Sequence, residues 1–105
     1  MKDSKEILDL IKFTVRKYIP DAEVNLFGSR ARNNAGTDSD YDILVVTENE
    51  LTPKAKLPLK TAIRKDLLEL DIRSDILIQS RREINMKKKL PGHIIRNILK
   101  ETVLL

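Results

Sequence analysis

The chain has 105 residues, room for a single domain over residues 1–105 and not for two. Its 20 Lys and Arg against 16 Asp and Glu give a formal net charge of +4, and 41% hydrophobic residues exclude a disordered chain. The absence of cysteine excludes disulfides and thiol catalysis, and no apolar run approaches the ~18 residues of a membrane span.

No signal-peptide core follows the charged start Met1-Lys2-Asp3-Ser4-Lys5, so a cytoplasmic location is expected. Asp3 and Glu6 form a variant capping box, and Ile7, Ile11, Val15 and Tyr18 then recur at helical spacing. Pro20 stops that helix. Residues 22–27 read as a strand, with Val24 and Leu26 on one face and Glu23, Asn25 and Phe27 on the other. Gly28-Ser29-Arg30-Ala31-Arg32 looks like a tight turn into a short helix, and residues 33–39 form a polar loop. The run Ile43-Leu44-Val45-Val46 predicts a central strand over 41–46, covered on both faces.

Residues 48–58, with Pro53 and Pro58, are expected to be a loop. Leu59, Ala62, Ile63, Leu67 and Leu70 mark one face of the next helix. A third strand follows over 72–78, with Ser74, Ile76 and Ile78 on one side and Arg73, Asp75 and Leu77 on the other. Helices over 81–88 and 93–100 flank Pro91-Gly92, and residues 103–105 can close as an edge strand. The order α, β, short α, β, α, β, α predicts an α/β (α+β) fold, a small mixed sheet of three to four strands flanked by helices.

Asp40 and Asp42 sit one residue apart at the mouth of the best strand. A side-chain period of two directs both carboxylates to one side, ~6–7 Å apart. Two like charges so placed call for an offsetting cation, and carboxylate oxygens suit Mg²⁺. Asp75 stands in an apolar strand, where an aspartate needs a partner or a metal. If the two strands are neighbours, Asp75 completes a three-carboxylate cluster. Asp71 has the same parity, but its place at a helix-to-strand junction suits a turn.

Gly28 lets backbone approach a phosphate closely, and the Ser29 hydroxyl and following amides can donate to it. Arg30 and Arg32 can add bidentate contacts to phosphate oxygens. Each piece has a bland counterpart: a Gly-Ser pair is often only a turn, and paired aspartates are often a solvated edge. Their joint order along the chain is the specific signal.

The basic run Arg81, Arg82, Lys87, Lys88 and Lys89, with Glu83 as its one acid, accounts for the whole net charge. It reads as a solvated face or as a docking patch for RNA, phosphates or an acidic partner; no aromatic residue lies within it for stacking. His93, the sole histidine, suits a helix start. Tyr41 faces the core, and Lys54, Lys56 and Lys60 surround the expected proline loop.

Phe27-Gly28-Ser29-Arg30-Ala31-Arg32, followed by Ser39-Asp40-Tyr41-Asp42-Ile43-Leu44-Val45, resembles the signature of the minimal nucleotidyltransferases of the DNA polymerase β superfamily. The ending from Pro91-Gly92-His93 through Val103-Leu104 is similar as well. Asn33 and Glu101-Thr102 depart from the family's usual glycines, in loops and away from the carboxylates.

The resemblance implies a palm-like nucleotidyltransferase fold and attack of an acceptor hydroxyl on the α-phosphate of an NTP, with ATP as the family's guide. It implies two Mg²⁺ ions on Asp40, Asp42 and Asp75, with Asp75 also a candidate general base. Gly28, Ser29, Arg30 and Arg32 would hold the phosphates. Chains of this kind resemble antitoxins paired with a HEPN RNase toxin, some of which transfer AMP to a tyrosine of that toxin, so a hetero-oligomer is implied. Two alternatives stand beside this: neutralisation by binding alone, or modification of a small molecule or RNA end with a separate helical subunit.

Overall fold

The computed structural model describes residues 4–31 and 40–105. Helix α1 (Ser4–Tyr18) buries Ile11 and Val15, and Ile7 and Tyr18 pack against the same core. Strand β1 (Glu23–Phe27) leads directly into the single turn α2 (Gly28–Ala31). Strand β2 (Tyr41–Thr47) follows, then helix α3 (Pro53–Glu69) and strand β3 (Ser74–Ser80). Two short helices, α4 (Arg81–Lys87) and α5 (Ile94–Leu99), precede the two-residue strand β4 (Val103–Leu104).

The four strands form one mixed sheet in the order β3-β2-β1-β4. β1 pairs antiparallel with β2 and β4, whereas β2 and β3 run parallel and are joined through α3. Parallel neighbours need such a crossover, because a tight hairpin cannot return the chain in the same direction. β2 is central, as its unbroken apolar run predicts.

Both sheet faces are covered. Val24, Ile43, Val45, Ile76 and Ile78 meet Ile11 and Val15 of α1 and Ile63 and Leu67 of α3. On the opposite face Leu44 and Val46 meet Ile84 of α4 and Ile95 and Ile98 of α5, with Phe27 and Leu77 at the margin. No helix among the described residues is long and apolar enough to cross a membrane.

The expected loop over 48–58 is shorter than its prolines suggest, because α3 already starts at Pro53. The first helical position has no amide partner to lose, so proline is tolerated there. The Thr52 hydroxyl caps the turn by accepting from the Ala55 amide at 3.2 Å. Pro58 lies inside the helix, so Lys54, Lys56 and Lys60 are helical residues and no flexible loop carries them.

Lys56 instead ties α3 to α4, donating to Glu83 at 2.8 and 3.0 Å. Glu83 also closes a capping box with Ser80. Burial pushes the Glu83 carboxyl up, but the Lys56 ammonium and the Ser80 amide outweigh it and hold the group below its ordinary value. A depressed carboxyl stabilises the fold above its unfolded-state pKa and loses that contribution as pH falls through the folded value. Glu83→Gln should therefore lower stability by about 2 kcal/mol near neutral pH, the scale of a hydrogen bond to a charged group. In urea melts, the gap to the parent chain should close as pH falls below the ordinary carboxylate range.

Candidate active site

β1 ends at Phe27, and the chain turns at once through Gly28, whose φ of 74° is the left-handed conformation that a side chain disfavours. Phe27 is the register partner of Asp42, and Asp42 is the register partner of Asp75. One row across three strands thus carries Phe27, Asp42 and Asp75. Neighbouring strands lie about 4.8 Å apart, so the two aspartates sit side by side on one face.

Gly28 is fitted against this row. A Cβ there would overlap the Asp42 carboxylate oxygen and lie 3.2 Å from its carboxyl carbon. The glycine therefore meets two separate demands, backbone conformation and close approach to a carboxylate.

Asp42 is half-buried and Asp75 is exposed. Asp75 is open to solvent in spite of its apolar neighbours in the strand. β3 is an edge strand, and α4 and α5 cover only the part of this face occupied by Leu44, Val46 and Leu77. Asp75 precedes that patch and stays open to solvent.

Asp40 lies just before β2, outside the pleat that would set its direction. Its carboxylate meets Arg73 at 3.5 Å, with both side chains more than half exposed. Such an exposed pair is worth little in stability. Among the described residues no three His, Asp or Glu side chains come together as a metal-holding group. The expected three-carboxylate cluster is not formed: Asp42 and Asp75 share a row, and Asp40 stands apart with Arg73.

The donor set nonetheless fits a hard cation. Mg²⁺ takes one or two carboxylates and fills its remaining positions with water and phosphate oxygens. Asp42 and Asp75 supply carboxylate donors on one face, and Gly28 lets the Asp42 carboxylate lie directly against the backbone.

Arg30 is placed with its guanidinium 4.3 Å from the centre of the Tyr41 ring, a cation–π contact. Tyr41 packs against the α1–α3 core, on the opposite side of β2 from Asp42. The Ser29 side chain and Arg32 lie outside the described residues. Asp71 adopts a φ of 63° in the turn before β3, which agrees with a turn role. His93 caps α5, its Nδ1 accepting from the Ile95 amide at 3.1 Å.

Three of the five residues of the basic run meet acids. Arg81 pairs with Glu48 at 2.6 Å and Glu23 at 3.5 Å, Arg82 with Glu50, and Lys87 with Glu83 at 3.9 Å while also donating to the neutral Gln79. Arg73 is the site residue that sequence reasoning missed. Its signal lies in the parallel pairing of β2 and β3: Tyr41 is opposite Ser74, so the residues just before them, Asp40 and Arg73, enter the sheet side by side.

A family model described as a nucleotidyltransferase domain matches residues 6–105. The chain belongs to that family. No protein of curated function matches it in sequence. Among solved structures, a protein described as a minimal nucleotidyltransferase is 25% identical, with 99% of this chain and 97% of that one covered and a TM-score of 0.63.

A toxin–antitoxin crystal structure with AMP-PNP superposes at a TM-score of 0.60 and 23% identity, over 93% of this chain and 70% of that one. A complex of a tri-AMPylated Shewanella oneidensis HEPN toxin with an MNT antitoxin gives 0.56 and 19%, over 95% and 69%. These two likenesses bear on the fold alone. The four-stranded mixed sheet of this nucleotidyltransferase domain is the architecture that the sequence predicts.

Proposed function

We propose that this chain transfers AMP from ATP, with Mg²⁺, to a tyrosine hydroxyl of a HEPN-type RNase partner in the cytoplasm, and so acts as an antitoxin. The observation that carries the reading is the row of Asp42 and Asp75 with Gly28 fitted against it. Support for the partner comes from the likeness to an antitoxin bound to a tri-AMPylated HEPN toxin. Support for the nucleotide comes from the likeness to a complex holding AMP-PNP.

In this reaction the acceptor oxygen forms a bond to the α-phosphorus, and the bond to pyrophosphate breaks. Mg²⁺, when bound, supplies positive charge that offsets the triphosphate and the leaving group. Asp42 and Asp75 would hold it, with Asp40 close by in the chain. Asp75, exposed at the sheet edge, is reachable by a protein-borne hydroxyl and is the base we assign to the acceptor proton. The backbone of Gly28 and Ser29 would hold the distal phosphates, with Arg32 in support. Arg30 would have to leave Tyr41 to join them.

A second reading, neutralisation by binding alone, is favoured by one observation: Asp40 is not gathered with Asp42 and Asp75. The experiment that separates the two readings uses α-labelled ATP, Mg²⁺ and the product of the neighbouring gene. Labelled partner protein is expected, and it should disappear in the Asp40→Ala/Asp42→Ala variant. Absence of label, with tight binding that this variant retains, would establish blockade instead. A role for Arg81, Arg82, Lys87, Lys88 and Lys89 in RNA contact is weakened by the acidic partners of the first three. A salt-independent or absent gel shift with RNA is the expected result.

A further inference from the structure

Beside Asp40, on the α3 face of the sheet and so opposite the face of the Asp42–Asp75 row, a cleft of about 360 Å³ opens between α3 and the start of β3. Its apolar part is made by Leu68 and Ile72, and Arg64, Lys65 and Arg73 line it as well. Asp40 is the single acid among these described lining residues, so the cleft carries a local excess of positive charge. Arg64 and Lys65 are both exposed.

Ser74 also lines the cleft. It is only 7% exposed, and its hydroxyl has no hydrogen-bond partner. Buried hydroxyls are nearly always partnered, so an orphan in a cleft wall is a donor that rotation about its Cα–Cβ bond could turn to a ligand. Cationic side chains, an apolar floor and a buried unpartnered hydroxyl together describe a site for a short anionic side chain with an apolar stem.

We propose that this cleft is an acceptor-anchoring subsite that takes a glutamate or aspartate of the partner protein, close in sequence to the hydroxyl that receives the nucleotide. The proposal rests on the transferase reading above and names what the acceptor must look like. An arginine fork matches a carboxylate bidentately, and the Ser74 hydroxyl can donate to it. A polynucleotide fits less well, because no aromatic residue lines the cleft to stack a base.

The distance also suits a peptide. Asp40, which lines the cleft, and Asp42 of the reactive row are two residues apart, about 7 Å along an extended chain. An extended segment advances about 3.4 Å per residue. Because Ser74 faces α3 whereas Asp42 and Asp75 face the other side of the sheet, the segment has to turn round the sheet end at Asp40. That takes about four residues or more between the anchored acid and the hydroxyl.

The test uses the isotopically labelled full chain with Mg²⁺ and AMP-PNP, titrated with short capped peptides in which about four residues separate a glutamate, glutamine or lysine from a tyrosine. Amide shifts are expected at Arg64, Lys65 and Ser74, with the glutamate peptide bound at least about five-fold more tightly than the glutamine one. R64E/K65E should lose that preference while AMP-PNP binds as before. Ser74→Ala should melt at a higher temperature, because an unpartnered buried hydroxyl is removed, and yet bind the glutamate peptide more weakly.

Equal binding of the three peptides, shifts confined elsewhere, or a single-stranded oligonucleotide seated in the cleft more tightly than the acidic peptide would each overturn the subsite. The two readings fail separately. AMP-PNP bound without peptide preference sinks the subsite alone. An acidic peptide seated in the cleft without any nucleotide binding sinks the transferase reading and leaves the docking of an acidic segment standing.

Discussion

Asp42→Asn is expected to lower nucleotidyl transfer by at least about a hundred-fold, the scale on which one charged group in a preorganised site counts. The fold should survive, because Asp42 sits at the end of β2 beyond the apolar patch and is only half-buried. Stability should rise slightly without metal, since like charges opposite one another on adjacent strands repel and Asp75 is the register partner. Mg²⁺ should raise the melting temperature of the parent chain, because a ligand of the native state alone stabilises it by mass action. That increment should be missing in Asp42→Asn. A full Mg²⁺-induced shift in the variant would place the cation elsewhere and remove the basis for assigning Asp42 to it. Partner capture at unchanged affinity by the variant would show that binding and transfer are separable.

Gly28→Ala should have a comparable effect by a different route. Alanine at a φ of 74° is strained by about 1–3 kcal/mol, and its Cβ also falls on the Asp42 carboxylate. A displacement of about 1 Å at a reacting group can reduce the rate about a hundred-fold. The molecule supplies its own control. Gly92 has a similar φ of 72°, but a Cβ there meets nothing within 4 Å. Gly92→Ala should therefore carry the backbone strain, read in a urea melt, and keep both transfer and nucleotide binding. Equal activity losses in the two variants would mean that strain alone is felt and that close approach to Asp42 is irrelevant.

Much of the fold could be read without coordinates, and the misreadings have definite causes. The prolines suggest a loop over 48–58, but Pro53 occupies the first helical position, where a missing amide is harmless. Asp75 is open to solvent although its neighbours Ile76, Leu77 and Ile78 are apolar. Only Ile76 and Ile78 on the α1–α3 face are fully covered, and the alternate face of this edge strand is open at Asp75. Asp40 was expected to share a face with Asp42, yet strand parity applies only to residues within a strand, and Asp40 lies one residue before β2.

The sequence by itself determined the features that depend on local geometry. These are the helical period of α1, the face each strand residue takes, the Gly28 turn and the spacing of Asp40 and Asp42. Only the tertiary structure decided which strands are neighbours and in what register. The parallel pairing of β2 with β3 through α3 sets Asp75 opposite Asp42 and brings Arg73 beside Asp40 just outside the ladder, and the outer place of β3 leaves Asp75 exposed. Register and strand order are set by cores packed between residues far apart in the chain, here Ile43 and Val45 with Ile63, Leu67, Ile76 and Ile78. No local pattern carries that information, because each strand's own alternation is satisfied equally well by several neighbours.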